Sequence, residues 1–200
     1  MDPASEALMR SALHDLANVL SGIRGILELS DPHQPLTPRD QSRLDAVITD
    51  GMVALERSRH LAMGTLPESM VESGSDWRHQ LAEQLKPMGV LFRRHFEIRY
   101  EGEIADDRWP GELLRGYATA LTRQILPYVH AESLEIIAQA NAKEWRLRWP
   151  LATVIPESLN PEFNARPRDI GARWALRVGE TLGATLHSDA DGLMVRVPRF

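Results

Sequence analysis

Cysteine is absent from the 200-residue chain, which excludes disulfides, thiol catalysis and cysteine-ligated zinc. No window approaches about 18 uninterrupted apolar residues, so we expect no membrane partner and no spanning helix. The N-terminal segment MDPASEALMR carries acidic residues where an export signal carries positive charge, which predicts a cytoplasmic protein. Basic residues are also in deficit, since 23 Lys and Arg against 28 Asp and Glu give a net charge of -5. That balance argues against a nucleic-acid partner.

The composition that remains is that of a soluble globular protein. Hydrophobic residues make up 43% of the chain and charged residues 26%. The length suits one large domain or two small ones. With cysteine absent, the seven histidines are the main source of reactive nitrogen.

The first 64 residues are predicted to form an antiparallel helical hairpin. Pro3 in a first helical turn starts a helix to about residue 29, prolines break it, and Thr37 followed by Pro38 starts a second helix to about residue 63. Two helices cannot cover an apolar stripe on every side, so we expect a homodimer in which two hairpins form a four-helix bundle. The stripe on the first helix is spaced by three and four residues: Met9, Leu13, Leu16, Leu20, Ile23 and Leu27.

A linker over residues 65–75 and a second domain over residues 76–200 are predicted to follow. The linker lacks periodicity, whereas the second domain alternates helical and strand patterns, so the fold class is α+β with an α/β sandwich built on one mixed sheet. The predicted helices are 75 or 76 to 88, 111–126 and 169–182, and the predicted strands are 95–100, 133–140, 144–149, 184–188 and 193–198.

His14 is the strongest candidate for chemistry. It lies roughly 150° around the first helix from the apolar stripe, which places it on the solvent side. A neutral imidazole is a usable nucleophile near neutral pH, and the carboxylate of Asp15 can orient one ring nitrogen. The alternative is an ordinary exposed histidine. Small or polar residues share or flank this outward face and would let a partner approach closely: Ser11, Asn18, Ser21, Gly22 and Gly25.

The string HDLANVLSGIRGILEL over residues 14–29 resembles the phosphoacceptor helix of two-component histidine kinases and histidine phosphotransferases. The order of predicted elements over almost the whole chain is also similar to that family, with a dimerising hairpin followed by an ATP-binding domain. The segment DIGARWAL at residues 169–176 stands where the family has its last glycine-rich box. This resemblance implies that His14 is a phosphoacceptor, that Asp15 orients the imidazole, and that Asn18 contacts the incoming group or a water.

Three nucleotide motifs of the family are missing. Residues 121–125 read LTRQI where relatives bind magnesium through an asparagine, and residues 150–156 read PLATVIP where relatives hold adenine with an acid and glycines. In the last box only Gly171 remains, and Arg173 and Trp174 add bulk where backbone approaches phosphate. The chain therefore resembles the degenerate histidine-kinase type of phosphotransferase, the ChpT kind, which binds no ATP.

The resemblance implies a histidine phosphotransferase of a phosphorelay, which passes a phosphoryl group between receiver-domain aspartates through His14. Such a protein needs no cofactor or metal of its own, because the receiver supplies Mg²⁺. The second domain would add receiver contacts. Three alternatives stay open: a module that binds a response regulator or kinase without accepting phosphate, a receiver phosphatase that uses Asn18, and an ATP-dependent kinase.

Overall fold

A computed structural model of the chain describes residues 3–31, 33–68, 70–101, 108–151, 170–189 and 192–199. The helices in these residues are α1 (Pro3–Leu29), α2 (Pro38–Met63), α3 (Gly74–Phe92), α4 (Gly111–Ile125) and α5 (Ile170–Thr181). The strands are β1 (Val71–Ser73), β2 (His95–Glu101), β3 (Arg108–Pro110), β4 (Ser133–Ala140), β5 (Glu144–Pro150), β6 (Thr185–Asp189) and β7 (Gly192–Pro198).

The helical hairpin forms as predicted, and local caps set both ends of α2. The Thr37 hydroxyl accepts a hydrogen bond from the N–H of Asp40 at 3.1 Å, and Pro38 occupies the first turn of α2. Gly64 ends α2 in the left-handed conformation with φ 65°. The helices approach closely at Gly51, where an added Cβ would lie 3.0 Å from both methyl groups of Val19.

The apolar stripe predicted on α1 does not face α2. Leu13, Leu16 and Leu20 are 60%, 54% and 57% exposed, whereas the neighbouring stripe that includes Val19 and Ile26 packs against α2. On α2, Met52 and Leu55 are also exposed. The predicted homodimeric four-helix bundle would cover this surface and stays a prediction.

The second half of the chain contains the predicted mixed sheet. Its five strands run in the order β2-β4-β5-β7-β6; β2 and β4 are parallel, and the other neighbouring pairs are antiparallel. Side chains of α3, α4 and α5 join those of the sheet in one apolar core. Trp77, Leu114, Leu147 and Val178 are fully buried there. The α+β architecture with a mixed sheet is therefore confirmed.

Two short elements and one helix start depart from the sequence-based expectation. The end of the predicted linker forms β1, which pairs antiparallel with β3, and each strand is only three residues long, too short for an alternating pattern. Ser73 rather than Ser75 or Asp76 caps α3, since its hydroxyl accepts the N–H of Asp76 at 3.2 Å. The helix continues past Pro87 to Phe92. The division of the chain into residues 1–64, 65–75 and 76–200 stays a prediction.

The turn between β4 and β5 forms without glycine because a side chain replaces a backbone acceptor. Asn141 Oδ1 accepts the N–H groups of Lys143 and Glu144 at 2.8 and 3.0 Å. Residues 152–156 of the PLATVIP segment, and residues 190 and 191 between β6 and β7, lie outside the described residues.

Candidate functional site

His14 lies on the exposed side of α1, as predicted. Its side chain is 60% exposed, so a partner can reach the ring without rearrangement of the helix. The positions one turn away from His14 on this face carry polar side chains, Asn18 on one side and Arg10 on the other.

Two neighbouring side chains contact the same ring nitrogen of His14. Asp15 Oδ1 lies 3.1 Å from Nδ1, and Asn18 Nδ2 lies 3.3 Å from Nδ1. If Nδ1 carries a proton, it donates a hydrogen bond to the Asp15 carboxylate. If Nδ1 carries a lone pair, it accepts a hydrogen bond from the Asn18 amide N–H. The carboxylate is the stronger partner because its hydrogen bond is charge-assisted, and rotation of the amide would present its oxygen to the same N–H. The arrangement thus favours a proton on Nδ1 and a lone pair on Nε2.

Asp15 also contacts the second half of the chain. Its side chain is 18% exposed, and Oδ2 accepts the backbone N–H of Ile170 at 3.1 Å. Ile170 is the first residue of α5. The two carboxylate oxygens therefore have different partners, one on His14 and one at the start of a helix that lies 155 residues away in sequence.

Ser11 is not on the exposed face, which corrects the sequence-based expectation. It is 3% exposed, and its hydroxyl accepts the Nε–H of Arg173 at 2.9 Å while donating to the carbonyl of Ala7 at 3.1 Å. Ser11 lies at the border between the outward face and the face that meets other elements, and α5 covers that border. Arg173 therefore contacts Ser11 where a partner protein was expected to do so.

Gly22 also departs from the expectation, whereas Ser21 and Gly25 fit it. A Cβ on Gly22 would lie 3.3 Å from a methyl group of Val47, so this glycine allows α1 and α2 to approach each other. A Cβ on Gly25 would meet no atom within 4 Å, and Ser21 is exposed. The accessible face around His14 therefore comprises His14, Asn18, Ser21 and Gly25, and we call it the His14 face.

A cavity of about 200 Å³ lies behind Asp15 and Asn18. Three further charged side chains from two elements reach its wall: Asp50 and Arg57 from α2, and Arg123 from α4. Arg123 forms an ion pair with Asp50, and Arg57 donates to the carbonyl of Gly116 at 3.3 Å. These contacts hold α4 against α2 at the level of the candidate site.

A second cavity of about 360 Å³ shares Asp50, Arg57 and Arg123 with the first and continues along α4 towards α5. Its wall has more acidic than basic side chains, because Glu56, Glu83 and Glu112 are added. Trp174 closes one side: it is 3% exposed, and a Cβ on Gly116 would lie 3.1 Å from its Nε1.

Sequence reasoning brought His14, Asp15 and Asn18 together correctly but missed Ile170 and Arg173. The signal for those two residues was present in part, because the resemblance places the start of a helix at this point of the chain. Nothing in the sequence indicates that this start meets α1. Among the described residues, no three His, Asp or Glu side chains cluster closely enough to hold a metal ion. No helix within the described ranges is long and apolar enough to cross a membrane.

Comparison with known proteins rests on structure, since no protein-family model and no curated protein matches the chain. A solved chain of the histidine kinase AdeS of Acinetobacter baumannii superposes with a TM-score of 0.59 at 13% identity, over 92% of this chain and 97% of that one. A bacterial phosphotransferase gives 0.51 at 15% identity, over 96% of this chain and 94% of that one. The histidine kinase ThkA in complex with the response regulator TrrA gives 0.54 at 11% identity, over 94% of this chain and 60% of that one. The chain therefore has a histidine-kinase-like fold.

Proposed function

We propose that the protein is a histidine phosphotransferase of a bacterial two-component phosphorelay, of the degenerate-kinase or ChpT kind. The observation that carries the proposal is the arrangement at His14: an exposed ring, with Asp15 at Nδ1 and with Nε2 directed away from that contact. The histidine-kinase-like fold supports it, as do the solved relatives, which include a phosphotransferase and a kinase with its response regulator.

The transfer needs only groups that the two partners supply together. The Nε2 lone pair attacks the phosphorus of a receiver's aspartyl phosphate, the P–N bond forms, and the P–O bond to the aspartate breaks so that the aspartate leaves as a carboxylate. The imidazole becomes positively charged, and the Asp15 carboxylate at Nδ1–H stabilises that charge. The reverse sequence with a second receiver returns the ring to its neutral form. The receiver brings the Mg²⁺ that neutralises the phosphoryl oxygens.

The His14 face is the proposed docking surface for the receiver. Asn18 lies next to the ring, where rotation of its side chain would bring its amide to the incoming phosphoryl group, and Ser21 and Gly25 leave room for an approaching helix or loop. Ser11 and Gly22 have no part in this surface, because Arg173 and Val47 occupy their neighbourhoods.

A homodimer is part of the proposal because the hairpin leaves a broad apolar surface open. Leu13, Leu16 and Leu20 on α1 are joined on α2 by Met52 and Leu55, all of them more than half exposed. Several large apolar side chains left exposed on a helical hairpin are typical of a protein interface. A second hairpin would bury it and leave the His14 face, which lies on another side of α1, accessible.

ATP is not part of the proposed reaction. At the position where relatives hold magnesium, Arg123 forms an ion pair with Asp50, and Thr122 accepts the indole N–H of Trp149 at 3.0 Å. Trp174 packs against Gly116, and the adjoining cavity carries the acidic residues Glu56, Glu83 and Glu112. Acidic groups repel a polyphosphate, so these features favour a phosphotransferase over a kinase.

The test is phosphoryl transfer without ATP. The purified protein is mixed with a receiver domain that carries radiolabelled aspartyl phosphate and Mg²⁺, and label on the wild type is compared with label on His14→Gln and on the exposed control His33→Gln. We expect acid-labile, base-stable label on the wild type and on His33→Gln but not on His14→Gln. A wild type that stays unlabelled with every receiver of the organism contradicts the proposal.

Asn18 provides the specific observation for a second candidate, a receiver phosphatase. Its amide lies next to the ring and can align a water for attack on an aspartyl phosphate. That activity would release inorganic phosphate from the receiver with no labelled protein, and Asn18→Ala would abolish the release. A module that only binds the receiver would give neither label nor phosphate release, and His14→Gln would leave its affinity unchanged.

A further inference from the structure

We propose that the start of α5 is a positioning element for the phosphoacceptor: the backbone N–H of Ile170 holds Asp15, and Asp15 in turn holds the proton of His14 on Nδ1. This inference rests on the proposed function for its catalytic consequence. Its structural part, the control of the ring tautomer from the second half of the chain, is independent of whether phosphate is transferred.

Three groups form a continuous chain of hydrogen bonds. The N–H of Ile170 donates to Asp15 Oδ2 at 3.1 Å, and Asp15 Oδ1 lies 3.1 Å from His14 Nδ1. A base oriented by a carboxylate, which is itself fixed by a further donor, is the arrangement that holds an imidazole in one tautomer. The outer nitrogen, Nε2, is thereby left with its lone pair.

The N–H of Ile170 is available for this contact because of its place in the helix. The first N–H groups of an α-helix have no partner within the helix, and the helix dipole adds partial positive charge there. Asp15 supplies a carboxylate at this position, so the contact gives this N–H an acceptor. Ile170 is fully buried, which keeps the N–H in place.

A second contact fixes how α5 lies on α1. Arg173 Nε–H donates to the Ser11 hydroxyl at 2.9 Å, one turn along each helix from the first contact. Ser11 and Asp15 are four residues apart on α1, and Ile170 and Arg173 are three apart on α5, so each pair lies on one helix face. Two contacts a turn apart prevent α5 from sliding along α1, and Asp15 is therefore held in one orientation.

The decisive comparison removes the backbone N–H donor of residue 170. Ile170→Pro deletes the N–H at a first helical position, where proline is tolerated, and Ile170→Ala deletes most of the side chain but keeps the N–H. An ester in place of the 169–170 amide, introduced with the α-hydroxy analogue of isoleucine, removes the N–H and keeps the side chain. The ester variant preserves the test if Ile170→Pro fails to fold.

The first readout is the tautomer of His14. Long-range ¹H–¹⁵N spectra at pH of about 8.5, where imidazole rings are neutral, report which ring nitrogen carries the proton, and His14→Gln assigns the signal. We expect the Nδ1–H form in the wild type and in Ile170→Ala. In Ile170→Pro and the ester variant we expect a shift towards the Nε2–H form, which free histidine favours in water.

The second readout is the rate of phosphoryl transfer from a phosphorylated receiver. We expect Ile170→Pro and the ester variant to be about tenfold slower than Ile170→Ala, the size expected for one lost hydrogen bond to a charged group. In an Asp15→Ala background, Ile170→Pro and Ile170→Ala should transfer at the same rate, since the N–H acts only through Asp15.

Equal tautomer populations and equal rates in Ile170→Pro, the ester variant and Ile170→Ala would overturn this inference and leave the phosphotransferase proposal intact. A tautomer shift in a protein whose wild type transfers no phosphate would sustain the positioning contact and overturn the phosphotransferase. The two failures are therefore distinguishable.

Discussion

Adding one methyl group at Gly25 and at Gly51 should change the stability of the hairpin in opposite directions. Both glycines lie inside helices, where glycine is unfavourable because of its backbone freedom. A Cβ on Gly25 would meet no atom within 4 Å, whereas a Cβ on Gly51 would lie 3.0 Å from both methyl groups of Val19. The two substitutions are chemically identical and differ only in what surrounds them.

The expected magnitudes follow from helix propensity and packing. Gly25→Ala should gain about 1 kcal/mol, which for a chain of this size raises Tm by about 3 °C. Gly51→Ala has the same gain but is opposed by an overpacking cost of about 1–3 kcal/mol. Val19 cannot turn away cheaply, since a β-branched side chain has one preferred rotamer in a helix. We therefore expect Gly51→Ala to lower Tm.

The same position tests the proposed docking surface. Gly25→Gln should fold as stably as Gly25→Ala to within about 1 kcal/mol, because the longer side chain extends into open space. It should weaken receiver binding by about tenfold, or ~1.4 kcal/mol, by obstructing the His14 face. Circular-dichroism melting and calorimetric titration with a receiver measure the two effects. A lower Tm for Gly25→Ala, or an unchanged receiver affinity for Gly25→Gln, would refute the reasoning.

Three further predictions concern other parts of the molecule. Leu20→Glu puts a charge on the exposed apolar stripe of α1 and should convert the expected dimer into a monomer. Light scattering measures the mass in solution, and an unchanged dimer would place the interface elsewhere. Burial raises the pKa of Tyr117 to about 12, above its ordinary value of 10.0. The contribution of Tyr117 to the free energy of unfolding is therefore fully present below pH 10 and falls by about 1.4 kcal/mol per pH unit towards pH 12. Tyr117→Phe should remove that share of the slope in urea titrations. Glu72→Gln leaves the buried Arg115 without its carboxylate and should cost about 3 kcal/mol, far more than substitution of the exposed Glu112 by Gln in the first turn of α4; similar losses would disprove the pairing.

The sequence predicts the hairpin well because its signals are local. Thr37, Pro38 and Gly64 set helix ends through contacts within a few residues, and the structure places the ends of α2 accordingly. The sheet order is different, because β2 pairs with β4 in parallel and β5 pairs with β7, and neither pairing follows from neighbouring residues. The three-residue strands β1 and β3 are missed because they carry no periodic pattern.

Periodicity identifies apolar stripes on α1 but does not say which stripe meets which partner. The sequence favours the stripe through Leu16 and Leu20 because its apolar residues recur every three and four positions. The structure instead packs α2 against the adjacent stripe, where Gly22 and the branched Val19 allow close approach. In a sequence, a small residue that lets two helices pack closely looks the same as one that leaves room for a partner. For this reason Ser11 and Gly22 were expected on the His14 face.

The residues that departed most from a nucleotide-binding pattern have a structural use of their own. Arg173 and Trp174 stand where the resemblance to histidine kinases implies a glycine-rich box, and in this fold Arg173 binds Ser11 while Trp174 packs on Gly116. Both contacts hold α5 against its neighbours, and the same helix presents the N–H of Ile170 to Asp15. Arg173 and Trp174 therefore support the helix whose first N–H contacts Asp15. We expect glycine at both positions to release α5 from α1, because both side-chain contacts are lost.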